Sequence, residues 1–185
     1  MSYSISLVEG TPDFTSLPVV KITEYPLAKG IYQPYAHVAS CITSRELCLR
    51  LLSFEAISIP GSCILAAFAP LEGEGLLVIR CEEVSGKAYV LQGEEQLPID
   101  AHFHFFKGDD LQGKYWGADV KLPLEELKRI FPADCLQKGG RLKGNFYKIC
   151  LQEPYVHMGS AYPCDFRKKD FLTKEAMADF VVADY

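Results

Sequence analysis

The chain has 185 residues, 49% hydrophobic and 23% charged, the balance of one globular domain spanning 1–185 rather than of a disordered chain. Its net charge is −5 and its longest basic run is Arg167-Lys168-Lys169, which speaks against a nucleic-acid partner or an anionic membrane surface. No apolar stretch approaches the roughly 18–20 residues of a membrane-spanning helix, and Met1 to Glu9 lacks the basic start and apolar core of a secretory signal, so the expectation is a soluble, cytoplasmic protein.

In chain order, short apolar runs read as strands. They cover Val19 to Ile22, Tyr35 to Ile42, Leu47 to Phe54, Ser62 to Phe68, Leu76 to Cys81 and Lys87 to Leu91. Further runs are His102 to Phe106, Tyr115 to Leu122, Leu142 to Leu151 and Ala178 to Val182. Turn signals separate them at Ala28-Lys29-Gly30, Ile59-Pro60-Gly61, Glu72 to Gly75, Val84-Ser85-Gly86 and Gly139-Gly140, and the polar stretch 92–100 reads as an exposed loop. Such regular spacing of short strands predicts an all-β antiparallel sandwich or barrel. One helix is expected after Leu122: Pro123 suits a first helical position, Glu125 and Glu126 the positive end, Lys128 and Arg129 the negative end, and Pro132 a stop. Leu124, Leu127 and Phe131 would face inward as a two-turn cap on a sheet edge, and a second short turn is expected at Thr173.

Seven cysteines, an odd number with no Cys-x-x-Cys pair, give neither a closed disulfide framework nor a zinc grip. Five of them (Cys41, Cys48, Cys63, Cys81 and Cys150) lie in apolar runs and read as small buried hydrophobes. His102-Phe103-His104 on a strand would put both imidazoles on one face, with Asp109 and Asp110 as neighbouring oxygen donors, but a metal site needs at least one further ligand. No phosphate-cradling loop and no Gly-x-Ser-x-Gly elbow occurs. Eleven Phe, ten Tyr and one Trp leave aromatic surface for stacking on sugar rings, with Tyr115-Trp116, Tyr155 and Tyr162 as candidates.

Lys114 to Leu127 is followed by Gly144-Asn145-Phe146-Tyr147-Lys148, then by His157-Met158-Gly159-Ser160-Ala161-Tyr162-Pro163, then by Asp165-Phe166. This order resembles the family 9-like carbohydrate-binding modules over about residues 18–182, with Ser62-Cys63-Ile64 similar to an upstream strand of that family. The resemblance implies a jelly-roll-like antiparallel β-sandwich with one or two short helices, no cofactor and no catalytic machinery. It also implies a sugar ligand, but the familiar site is largely stripped. Ala161 stands where the family has a stacking Trp, Gly61 and Leu65 where it has acidic residues, and Leu77 to Cys81 where it has a polar strand, while the loop between Phe54 and Gly61 is short. Losing a stacking Trp removes about 1–3 kcal/mol of contact.

A rearranged site for a mono- or oligosaccharide, or a similar small polar molecule, is therefore sought at Arg80, Trp116, Tyr147, His157 and Tyr162. Arg80, a lone cation in an apolar run, needs a carboxylate or an anionic ligand unless it faces outward. Two alternatives stay open. One is a structural or protein-interaction sandwich, including a homo-oligomer paired through Leu76 to Ile79; the other is an enzyme using His102 and His104 with a metal, or a cysteine with His157.

Overall fold

Each of the ten apolar runs is a strand in the computed structural model, which describes residues 3–27 and 32–184. The turn expected at Ala28-Lys29-Gly30 lies outside the described residues. In chain order the elements are β1 (Tyr3–Leu7), β2 (Val19–Ile22), β3 (Ala36–Ile42), β4 (Glu46–Phe54), β5 (Cys63–Pro70), β6 (Leu76–Glu82) and β7 (Gly86–Gln92). They continue with β8 (Glu95–Ile99), β9 (His102–Asp110), β10 (Gly113–Pro123), α1 (Leu124–Leu127), β11 (Arg141–Cys150), β12 (His157–Ser160) and β13 (Ala178–Asp184). Two 3-10 turns, Ala133–Leu136 and Lys174–Ala176, complete the set, the second following Thr173 as expected.

The strands follow one path, β8-β7-β6-β5-β11-β13-β1-β3-β4-β10-β9, with β12 added beside β11 and β2 beside β3. The path curls until β4 and β10 face β5 and β6, which makes a sandwich. Neighbours are antiparallel except at β1, which runs parallel to both β13 and β3 and joins the two halves. Period-two alternation then fills the space between the layers. Leu49 and Leu51 of β4 and Ala118 and Val120 of β10 meet Ile64, Ala66 and Phe68 of β5 and Leu77 and Ile79 of β6, all buried. Rings of Tyr3, Phe68, Phe146 and Phe180 close the middle edge to face.

Both outer faces are partly roofed. Phe166, Phe171, Leu172 and Met177 cover Leu65, Val78 and Tyr147 of one layer. On the other, Val8, Phe14 and Leu17 cover Ala39, Cys41 and Cys48. All seven cysteines are free thiols, and the five in apolar runs are buried.

Two local expectations need correction. Residues 95–99 form a strand rather than a loop: after a tight turn with Gly93 at φ +60°, β8 pairs with β7 at the end of the strand path. An edge strand exposed on both sides needs no apolar pattern and tolerates Pro98, so a charged sequence hides it. The helix lasts one turn, not two, because Pro123 is still extended (ψ 131°) and paired with Glu46 at the end of β10. Its inward face is the expected one, with Leu127 and Phe131 buried. Among the described residues no helix is long and apolar enough to cross a membrane.

Candidate functional site

One end of the sandwich carries charge in its interior. Strand β4 stops at Phe54, the chain turns through 55–62, and Gly61 takes φ +77°, a conformation that favours glycine, before β5 begins. The turn brings Ser53, Glu55 and Ser62 inward, all at most 4% exposed. From β11, Lys148 enters the same space at 0% exposure, with its Nζ 3.1 Å from Glu55 Oε2 and donating to Ser62 Oγ. Ser62 Oγ donates to Glu55 Oε1 at 2.9 Å, Ser53 Oγ to Oε2 at 3.3 Å, and the indole Nε1 of Trp116 on β10 to Oε2 at 2.5 Å. The Lys148 ammonium also lies 5.2 Å from the centre of the Trp116 ring. Burial pushes the Lys148 ammonium below the usual lysine range, and the Glu55 carboxylate opposes that shift. Two charges taken out of water hold together only where their remaining donors and acceptors are met, and three neutral donors meet them here.

His157, at the start of β12 and 2% exposed, adjoins this pair. Its Nδ1 lies 2.7 Å from the Tyr155 carbonyl; a carbonyl only accepts, so Nδ1 carries the proton and Nε2 presents a bare lone pair. That Nε2 meets no partner, and neither do the hydroxyls of Tyr32 and Ser160. Burial, reinforced by the Lys148 charge, lowers the His157 pKa to about 4, so the ring is neutral at ordinary pH. Tyr25 and Tyr32 present their rings edge-on to it at 6.3 and 5.5 Å, and the Tyr25 hydroxyl donates to Pro34 O at 2.7 Å.

Two members of the network, Glu55 and Trp116, line a groove of about 490 Å³. Ile57 and Tyr115 supply apolar surface there, and Lys107, ion-paired to Glu83 at 2.7 Å, supplies charge on its rim. The arrangement can hold a polar molecule between opposed charges and an apolar floor.

Of the residues singled out in the sequence, Trp116 and His157 come together at this end. The other three lie elsewhere. Arg80 is half-exposed on β6 and finds its carboxylate two positions on, with Nη2 2.8 Å from Glu82 Oε1. Tyr147 points to the opposite face of β11, fully buried against Phe166 and Phe171. Tyr162 packs on Phe180 and is tied down by Asn145, whose Oδ1 accepts from Tyr162 N at 3.1 Å. His102 and His104 project from one face of β9 as alternation requires, both exposed. No group of three or more His, Cys, Asp or Glu side chains able to hold a metal ion occurs among the described residues. Glu55, Tyr25 and Tyr32 escape a sequence reading; the one available signal is a lone carboxylate directly after an apolar strand, between Phe54 and a short loop.

No protein-family model and no curated protein sequence matches the chain. Solved structures do. A protein from Bacteroides uniformis, provisionally described as carbohydrate-binding, superposes with a TM-score of 0.77 at 14% identity over 98% of each chain. A family 9 carbohydrate-binding module from Caldicellulosiruptor kristjanssonii in complex with glucose matches with a TM-score of 0.67 at 9% identity, over 100% of this chain and 97% of that one. A structure of such a module in complex with cellotriose scores 0.63, also at 9% identity, over 98% and 94%. Across its whole length, the chain therefore has the β-sandwich fold of the family 9 carbohydrate-binding modules.

Proposed function

We propose that this chain is a non-catalytic carbohydrate-binding module, and that a mono- or oligosaccharide, or a similar small polar molecule, docks in the groove at the Glu55 end. The observation that carries the reading is the groove itself: opposed charges at its rim and apolar floor around Trp116, in a fold shared with modules bound to glucose and cellotriose. A sugar offers hydroxyls that both donate and accept, together with apolar C–H faces, and such a lining answers both. Trp116 acts as a rigid wall held by Glu55. Tyr147 and Tyr162 serve packing in this reading, and Arg80 pairs with Glu82.

Calorimetric titration with glucose, cellobiose and cellotriose tests it. Saturable heat that weakens in Lys107→Ala and Asp109→Ala, both exposed and cheap to remove, and persists in Arg80→Ala is the expected result. A broad sugar panel without binding would refute it and leave the structural or protein-interaction sandwich.

A further inference from the structure

Cys41 of β3 stands directly opposite Cys48 of β4. Hydrogen bonds from Thr43 N to Glu46 O at 2.9 Å and from Phe54 N to Tyr35 O at 2.8 Å fix the phase of this ladder, which repeats every second pair. Cys41 and Cys48 are thus a hydrogen-bonded pair, with both side chains on the outer face of the sheet. Cα atoms in such a pair stand about 5.5 Å apart, within the roughly 4.4–6.8 Å that a disulfide bridges. Among the described residues no other two cysteines face each other across a ladder. Cys63 and Cys81 lie on adjacent strands but one residue out of register, so their side chains leave opposite faces of the sheet.

The same cross-strand row continues past the pair. Lys121 of β10 stands opposite Cys48 on its other side, so Cys48 lies between a thiol and an ammonium. The Cys41 thiol donates to Cys48 and, with the Lys121 charge, holds Cys48 below the usual thiol range against its burial. Glu46, 3.9 Å from Lys121 Nζ, and Asp119 oppose that lowering. The same hydrogen bond, together with burial, raises Cys41. One thiol is set up to attack and the other keeps its proton.

Both thiols are fully buried beneath Val8, Phe14 and Leu17. That roof is thin: residues 8–18 form neither helix nor strand, Phe14 is only half-buried, and its neighbours Asp13 and Thr15 are exposed. Small local openings of such a cover admit a molecule near the size of water and exclude a bulky one. The reagent that suits the pair is therefore a small two-electron oxidant, hydrogen peroxide.

We propose that Cys41 and Cys48 are a peroxide-reactive dithiol, a modification site that closes to a disulfide and reopens under thiol reductants. The Cys48 thiolate attacks one peroxide oxygen; the O–O bond breaks, the sulfur becomes a sulfenic acid, and the departing hydroxide takes up the proton that Cys48 had released, giving water. The Cys41 sulfur then attacks the Cys48 sulfur. The S–S bond forms, the S–O bond breaks, and the hydroxyl leaves with the Cys41 proton as a second water. Two thiols lose two electrons and one peroxide gains them. Facing Cβ atoms in a ladder are about 5 Å apart, about 1 Å more than in a relaxed disulfide, so the bond draws the two strands together. A strained disulfide is readily reduced, which makes the modification reversible. The proposal is independent of any ligand in the groove.

The test treats the folded, reduced protein with hydrogen peroxide, blocks the remaining thiols with N-ethylmaleimide, and reads a tryptic digest without reduction. Cleavage after Arg45 and Arg50 places Cys41 and Cys48 in separate peptides, 30–45 and 46–50. Expected are a link between these two peptides, loss of two of the seven thiols, and full recovery in dithiothreitol. In Cys41→Ala, dimedone should trap a sulfenic acid at Cys48, and in Cys48→Ala, Cys41 should stay reduced. Lys121→Met, at an exposed position that tolerates change, should form the link severalfold more slowly. Should the Ala variants fail to fold, the wild-type map and Lys121→Met decide. A link that forms only in urea, linkage to other cysteines, or a Lys121→Met protein that reacts at the wild-type rate overturns the proposal. So does oxidation confined to Cys135 and Cys164, the two half-buried thiols.

Discussion

Replacing Lys148 by Met isolates the energetics of the buried network. The substitution keeps the length and most of the apolar stem but deletes the ammonium that lies 3.1 Å from Glu55 Oε2. Glu55 would retain its bonds from Ser53, Ser62 and Trp116 but would be a buried anion without a cation. Breaking one side of a fully buried ion pair costs about 3–5 kcal/mol. For a chain of this size that corresponds to a melting temperature lower by about 6–20 °C. The double variant Lys148→Met, Glu55→Gln removes both charges while leaving an amide that can accept from the Trp116 indole. Because a neutral, well-packed replacement of a buried pair is often close to neutral, it should recover more than half of the loss. Urea unfolding of the wild type, both single variants and the double variant completes the cycle. A Lys148→Met protein within about 1 kcal/mol of wild type, or a double variant whose loss equals the sum of the singles, would refute the reasoning.

The neutral, buried His157 predicts an acid limb in stability. Its pKa falls from the ordinary 6.5 to about 4 on folding, so the unfolded chain binds the proton first as pH drops; stability is complete above about pH 6.5 and is lost progressively toward pH 4, by up to about 3 kcal/mol. His157→Gln should flatten that limb, and urea midpoints at pH 7.5 and 4.5 that fall equally in both proteins would count against it. Asn145 holds the C-terminal segment to β11 through Tyr162 N and O and the Ala176 carbonyl, at 3.1, 3.1 and 2.6 Å. Asn145→Ala should cost about 2–4 kcal/mol, read by chemical denaturation, with earlier proteolysis within 161–177; a loss below about 0.5 kcal/mol would show the segment is held by its apolar contacts alone.

Much of the fold is legible along the chain because strand formation on a half-buried surface is a local, period-two property. Leu47 to Phe54 and Leu142 to Leu151 alternate or run apolar, and both are strands. His102 and His104 share a face, with Phe103 and Phe105 on the other, for the same reason. Elements that are short or bury little escape. β8 has four exposed residues, while β1 and β12, though largely buried, have only five and four residues. The extent of α1 also escaped, because whether Pro123 ends a strand or begins a helix depends on Glu46 opposite it, far away in the chain.

The candidate site divides along the same line. The sequence by itself determines which residues carry rings and charges, that the strands alternate, and that no dense cationic track exists. It does not determine which of them meet. Trp116 and Glu55 are 61 positions apart and meet because β10 pairs with β4. Ser62 and Lys148 are 86 apart and meet because β11 pairs with β5, and only the curl of the path brings Lys148 to Glu55. Tyr147 and Lys148, adjacent in sequence, part to opposite faces of β11: one becomes core and the other half of a buried ion pair. Tyr115 and Phe106 on the outer face need a further coincidence, Gly108 opposite the one and Gly117 opposite the other, and that follows from interstrand register, a property of the closed sheet rather than of any one segment.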